Sequence, residues 1–182
     1  MDRKSFLKTV AGGTLAMSLA PNLLMAENLS QNSGKAVSKL TILHTNDQHS
    51  RIEPFDASYT RNPNQGGFAR RATLIEQIRK QENNVLLLDS GDIFQGTPYF
   101  NFFGGELEFK LMSMMKYDAS TMGNHDFDNG LDGFLKVLPN AKFPFICSNY
   151  DFKNTVLNGK TENYKIFDKN GIKVGIFGVG IK

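Results

Sequence analysis

The stretch Val85-Leu86-Leu87-Leu88-Asp89-Ser90-Gly91-Asp92 passes from an apolar block directly into a polar turn. A short apolar run bounded by a turn signal predicts a buried strand over 85–89, with Asp92 just beyond its carboxyl end. Toward the N-terminus, Phe68, Ala72, Ile75, Ile78 and Arg79 recur at helical spacing and predict an amphipathic helix over 68–82. Residues 51–67, with their prolines, asparagines and Gly66-Gly67 pair, read as a loop. Leu40-Thr41-Ile42-Leu43-His44-Thr45 reads as another buried strand, ending in Asn46-Asp47-Gln48-His49. Toward the C-terminus, a long loop through Gly96-Thr97-Pro98 leads to a helix over 105–116, with Leu107, Leu111, Met114 and Met115 as its apolar stripe. A short strand over 119–122 runs into Gly123-Asn124-His125-Asp126-Phe127-Asp128. Residues 131–138 read as a helix stopped by Pro139, and 143–147 as a strand. Strands over 164–167 and 173–179 flank Lys169-Asn170-Gly171, a turn suited to a hairpin. Strands alternating with helices predict an α/β layered fold. In such folds ligands gather outside the carboxyl ends of the strands, and three polar clusters stand there: Asp47/His49, Asp92 and Asn124/His125.

These clusters carry a specific chemistry. In extended backbone, residues two apart face the same side, so Asp47 and His49 can reach one ion. Gly91 allows a sharp turn before Asp92, whose two oxygens can bridge two cations. Asn124 offers a neutral carbonyl ligand. Mixed nitrogen and oxygen donors suit zinc, manganese, iron or magnesium without choosing among them. Two divalent ions about 3.5–4 Å apart are a recurring device for phosphate-ester hydrolysis, because they hold phosphoryl oxygens and acidify a shared water. His125 could then stand over the phosphoryl group, oriented and kept protonated by Asp128, to stabilise charge or protonate the leaving oxygen. Each signal is weak alone; the three in order, each at a strand end, are specific.

Plainer readings apply to several residues. His44 reads as a structural, hydrogen-bonded histidine and Asp89 as a turn cap. Asp126 reads as an exposed cap, and Asp128-Asn129-Gly130 would serve equally as a turn or helix start. Gly66-Gly67 is explained by helix entry as well as by a phosphate. The basic residues over 70–80 read as a solvated helix face.

From Leu40 onward the sequence resembles the calcineurin-like metallophosphoesterase superfamily, in particular its 5′-nucleotidase branch. The resemblance is carried by Ile42-Leu43-His44-Thr45-Asn46-Asp47-Gln48-His49, by Gly91-Asp92-Ile93-Phe94-Gln95-Gly96-Thr97, and by Gly123-Asn124-His125-Asp126-Phe127-Asp128. It implies an α/β/β/α layered fold and two divalent metal ions. Asp47 and His49 would bind the first ion, Asp92 would bridge both, and Asn124 would bind the second. His125 and Asp128 would form the catalytic dyad. It also implies an exported hydrolase acting on nucleotides, with a separate nucleoside-binding domain as a partner. Two departures stand out. Ser50 occupies a position where glycine often follows Asp-x-His. The family completes its metal site with a later histidine and a Gly-His-x-His segment, whereas the three histidines here are His44, His49 and His125. The fold is therefore expected to be incomplete on its C-terminal side and the chain by itself to show little or no phosphatase activity. The rival expectation is a non-catalytic, truncated remnant that binds metal weakly or not at all. A binding module without chemistry is the weaker third reading, since it leaves three ligand clusters unexplained.

Residues 1–26 read as a signal peptide: Arg3, Lys4 and Lys8 precede an apolar run over 10–20 too short to span a bilayer, and Leu24-Met25-Ala26 offers a cleavage site. Arg3-Lys4-Ser5-Phe6-Leu7-Lys8 resembles a weakened twin-arginine signal. The expectation is export to the periplasm or the exterior with no stable membrane anchor, a linker over 27–38, and the phosphoesterase domain over 39–182. The formal charge of +3 among 182 residues falls to +1 without the leader, which removes a nucleic-acid partner as an inference from charge. Forty per cent hydrophobic and 21% charged residues are ordinary for a soluble globular chain. The single cysteine, Cys147, allows no internal disulfide and reads as a buried thiol.

Overall fold

The computed structural model describes residues 38–181. The expected leader and all but the last residue of the expected linker lie outside the described residues. The centre is a parallel sheet of β1 (Thr41–Thr45), β2 (Val85–Asp89) and β3 (Ala119–Ser120), in the order β1-β2-β3. Thr41 pairs with Val85 and Thr45 with Asp89, so both strands end level. Asp89 pairs in turn with Ser120, which brings all three clusters to the same edge. Between β1 and β2 runs α1 (Phe68–Gln81). Between β2 and β3 run α2 (Pro98–Phe103) and α3 (Glu106–Met114), and α4 (Gly130–Val137) follows β3. A hairpin of β4 (Tyr164–Lys169) and β5 (Ile172–Phe177) closes the order, turning at Asn170-Gly171 as expected.

The mixed α/β architecture agrees with the expectation, and its core explains why. Leu43 and Leu87 face a cluster built from Phe68 and Ile75 of α1, Phe109 and Met112 of α3, and Phe134 and Val137 of α4. Phenylalanine dominates: the Phe109 ring centroid lies 4.8 Å from that of Phe94, 5.6 Å from Phe134 and 5.2 Å from Phe145. At these separations offset and edge-to-face pairs add to the area they bury. Cys147 is buried and free.

Several elements depart from expectation. β1 is not buried on both faces: on this edge strand Leu43 packs on the core, whereas Ile42 is 53% exposed and His44 is exposed too. Ile166, Phe177 and Val179 also remain exposed. His44 is thus a surface group rather than an internal structural one. The expected loop before the second helix contains α2, which starts with Pro98 in its first turn, where a missing N–H is harmless. Gly104 and Gly105 at φ 60 and 99 separate α2 from α3. That break sets the rotation of α3: Phe109 and Met112 join the expected Leu111 and, just past the helix end, Met115 against the core, while Met114 is 76% exposed. Residues 143–147 form only single bridges, Ser120 to Phe145 and Ile146 to Glu162, instead of a strand. Pro144 has no N–H for a regular ladder.

A candidate metal centre at the strand ends

Beyond β1 and β2 the two chains continue side by side without being strands. Asp47 N–H donates to Gly91 O (2.9 Å), His49 N–H to Asp92 O (3.0 Å) and Ser50 N–H to Ile93 O (2.8 Å). The backbone here is not extended, as the spacing argument supposed. Asp47, His49, Ser50 and Asp92 sit in the left-handed region at φ 48, 46, 51 and 54. Each such residue costs about 1–2 kcal/mol relative to a right-handed one, and such concentrations mark functional loops. Ser50 therefore occupies a conformation in which glycine is at ease.

The left-handed turns still bring the side chains together. His49 Nε2 lies 3.9 Å from Asp47 Oδ1 and 4.0 Å from Asp92 Oδ2. One ligand atom from each of Asp47, His49 and Asp92 lies within 4.8 Å of the others. Two donors on one ion at about 2.0–2.2 Å must lie within roughly 4.4 Å of each other, so both pairs fit a shared divalent cation. Among the described residues, neither Asp47 nor Asp92 forms an ion pair with lysine or arginine. Two carboxylates beside one imidazole, with no basic side chain to balance them, favour a bound cation. The His49 tautomer is also suitable. Its Nδ1 lies 3.3 Å from the Phe94 carbonyl, which can only accept, so Nδ1 carries the proton and Nε2 keeps a free lone pair toward the carboxylates.

The third cluster meets the second through close backbone contact. A Cβ on Gly91 would stand 2.2 Å from Gly123 N, and one on Gly123 would stand 2.0 Å from Asp92 Oδ1, so no other residue fits either place. His125 N–H donates to Asp92 Oδ1 at 3.0 Å. The His125 ring is 5.3 Å from that of His49, and its Nδ1 lies 2.9 Å from Asp128 Oδ2. That hydrogen bond, with smaller contributions from Asp92 and Asp126, raises the His125 pKa above the usual imidazole value despite some desolvation. Asn124 is exposed and stands at the start of the 3-10 turn His125–Phe127 beside this pair, its carbonyl accepting from Phe127 N–H. The structure thus brings together Asp47, His49 and Asp92, pairs His125 with Asp128, and leaves Asn124 at the rim.

Two residues escaped the sequence reading. Asp126, expected as an exposed cap, is 1% exposed and accepts four backbone N–H groups, from Asp92, Ile93, Phe94 and Gly123. Burial pushes its carboxyl up to about 7, against the pull of those N–H donors. Gln48 is buried under the turn and donates to Asp89 Oδ2 at 2.5 Å. Asp89 itself accepts from Thr45, Ser120 and Gly91 N–H, the turn-capping role expected of it. The sequence signal for Gln48 was its position between two ligands. A groove of about 810 Å³ between α1 and α3 contains none of the six candidate residues.

Residues 40–179 match the family model of the calcineurin-like phosphoesterases. The chain is 45% identical over 151 residues to a snake venom 5′-nucleotidase of Naja atra, covering 79% of this chain and 28% of that relative. It is 43% identical over 148 residues to the 5′-nucleotidase of Homo sapiens, covering 77% of this chain and 26% of that one. Among solved structures, the 5′-nucleotidase precursor of Thermus thermophilus matches with a TM-score of 0.72 at 36% identity, covering 78% of this chain and 28% of that chain. The chain therefore spans just over a quarter of the length of these relatives.

Proposed function

The chain belongs to the calcineurin-like phosphoesterase family, a family of metal-dependent hydrolases, and on that premise we propose that it contributes the metal-binding part of an exported phosphoester hydrolase of the 5′-nucleotidase type. The observation that carries this reading is the convergence of Asp47, His49 and Asp92 without a basic partner, beside the His125–Asp128 pair. Asp47, His49 and Asp92 would hold one divalent ion, and Asp92 with Asn124 would contribute to a second. When bound, such ions supply Lewis-acid polarisation of the phosphoryl oxygens and a nucleophile at neutral pH.

The chain's own residues define the remaining work. Phe94 O fixes a proton on His49 Nδ1, which leaves Nε2 as the ring atom that would meet an ion. Asp128 holds the His125 proton on Nδ1 and favours the imidazolium. Its second N–H, on Nε2, is then free to donate to a phosphoryl or leaving-group oxygen, where it would offset developing charge. Nucleotides are the proposed substrates, because the relatives above are nucleotidases. Residues 1–26 are proposed as a cleaved leader, 27–38 as a linker and 39–182 as the phosphoesterase part, working in the periplasm or outside the cell. Four named ligands serve one ion well and a second only in part, so these residues by themselves are proposed to show little or no phosphatase activity.

The test is release of inorganic phosphate from a nucleoside 5′-monophosphate, with Mn²⁺ or Zn²⁺ and with EDTA. Metal-stimulated release that disappears on chelation and in Asp92→Asn supports the reading. Release that survives both would overturn it.

A further inference from the structure

Asp126 has no role among the ligands or the dyad, yet it accepts four hydrogen bonds, all from backbone N–H groups. Its Oδ1 accepts N–H groups from Ile93 (2.8 Å) and Phe94 (3.1 Å), and its Oδ2 accepts from Asp92 (3.0 Å) and Gly123 (2.9 Å). Three of these donors lie on the Asp92 loop and the fourth on the Gly123 loop, so one side chain spans both. A bond returns across the same seam: His125 N–H donates to Asp92 Oδ1 at 3.0 Å. One Asp92 oxygen is thereby engaged, and the other, Oδ2, lies 4.0 Å from His49 Nε2. Asp92 is also held at φ 54, in the left-handed region that aspartate tolerates better than most residues but still at a cost. Among the described residues Asp126 forms no ion pair with lysine or arginine, so its acceptor capacity goes to shaping these two loops.

We propose that Asp126 is a positioning residue, whose buried carboxylate fixes the Asp92 loop so that Asp92 Oδ2 faces His49 before any ion arrives. The proposal rests on the reading of Asp92 as a metal ligand. Parting the two loops would leave up to four buried or half-buried backbone N–H groups without an acceptor, which is costly. Groups that orient a ligand in this way typically change metal affinity 10–100-fold when removed. Asparagine in place of Asp126 would turn one acceptor oxygen into an NH₂ donor aimed at two N–H groups. One half of the clamp would then open.

Two measurements test this. In the metal-free wild-type chain, hydrogen exchange at the amides of Asp92, Ile93, Phe94 and Gly123 should be as slow as at Leu86 and Leu87 in β2. Fast exchange there in an otherwise protected protein would overturn the proposal without any variant. The second is calorimetric titration with Mn²⁺ of wild type, Asp126→Asn, Asp92→Asn and Val137→Ala, each with its thermal melt. Val137 is buried in α4 and has no place in the site, so Val137→Ala reports the effect of lost stability alone. Asp126→Asn should bind Mn²⁺ about 10–100-fold more weakly than wild type. Val137→Ala should stay within about threefold, close to the wild-type result that full remoteness implies. An Asp126→Asn affinity equal to wild type, or a Val137→Ala loss as large as that of Asp126→Asn, would overturn the positioning role. If Asp92→Asn binds like wild type, the ligand reading fails and this proposal falls with it.

Discussion

Replacing Gly91 by alanine separates the close approach of two loops from the general effect of a left-handed backbone. Gly91 sits at φ +90, and a Cβ there would lie 2.2 Å from Gly123 N, 2.7 Å from Met122 C and 3.0 Å from Gly123 Cα. All three are backbone atoms, so relief requires the loops themselves to part. The left-handed conformation costs an alanine about 1–2 kcal/mol, and forcing an extra carbon into packed structure about 1–3 kcal/mol more. The sum, about 2–5 kcal/mol, is a large share of the 5–15 kcal/mol typical of a domain. Gly171 in the hairpin turn is the control: its φ is +87, and nothing lies within 4 Å of its added Cβ. Gly171→Ala should therefore lose only the conformational part, about 1–2 kcal/mol. At about 2–4 °C per kcal/mol for a chain of this size, the melting temperature should fall roughly 4–20 °C for Gly91→Ala and roughly 2–8 °C for Gly171→Ala. Scanning calorimetry of both variants reads the difference. Only Gly91→Ala should also weaken Mn²⁺ binding, because its Cβ pushes Gly123 away from Asp92. Equal melts and equal metal affinities in the two variants would refute the tight seam on which the site geometry depends.

Asp128→Asn removes the hydrogen bond that does most to raise the His125 pKa, so an NMR titration of the metal-free chain should show that pKa falling toward the usual imidazole value. A group raised in the folded state stabilises it fully below its unfolded pKa, about 6.5. That stabilisation is lost as pH rises through the folded value, and the variant should lack this dependence. Glu108 in α3 is 0% exposed, and neither carboxyl oxygen has a well-formed hydrogen bond among the described residues. Burial raises its pKa, partly offset by the Ser50 hydroxyl and its own backbone. Here the folded state holds the proton longer, so stability should decline as pH rises from the unfolded value, about 4.3, through the folded one. Glu108→Gln should remove that decline in melts between pH 4 and 8, and an unchanged pH dependence would contradict the assignment.

The residues that were legible in the sequence owe their structure to local chemistry. Val85 to Asp89 is a central strand because an uninterrupted apolar run is stable only with both faces covered, and Leu86 and Leu87 are nearly inaccessible. The Asn170-Gly171 turn needs positive φ at both residues, which this pair accommodates, and it has φ 54 and 87. What was not legible depends on distant partners. Nothing in Leu40 to Thr45 says that only one face of the strand will be covered. Pro98 to Phe103 lacks a 3.6-residue alternation of apolar and polar groups, so its single helical turn and a half left no periodic trace. The α3 stripe was legible only in part: Leu111 and Met115 pack on the core but Met114 does not, because the Gly104-Gly105 break sets the rotation of the helix and periodicity alone does not fix its phase. At the site, ligand identity is carried by residue type and spacing, whereas the left-handed turns of Asp47 and His49 and the clamp by Asp126 arise from backbone bonds between segments far apart in sequence. Asp126 looked like an ordinary turn aspartate because its four donors are backbone groups that carry no sequence signature.

If the strand ends form a divalent-metal site built on Asp92, calorimetric titration of Mn²⁺ into the metal-free chain and its Asp92→Asn variant will show it. Saturable binding by the wild type should weaken at least 100-fold in Asp92→Asn, with a thermal melt that the substitution leaves cooperative; removing a ligand should exceed the roughly 10–100-fold effect of removing a residue behind one. Binding of equal strength in both proteins, or no saturable binding by a folded wild-type chain at millimolar Mn²⁺, would contradict it.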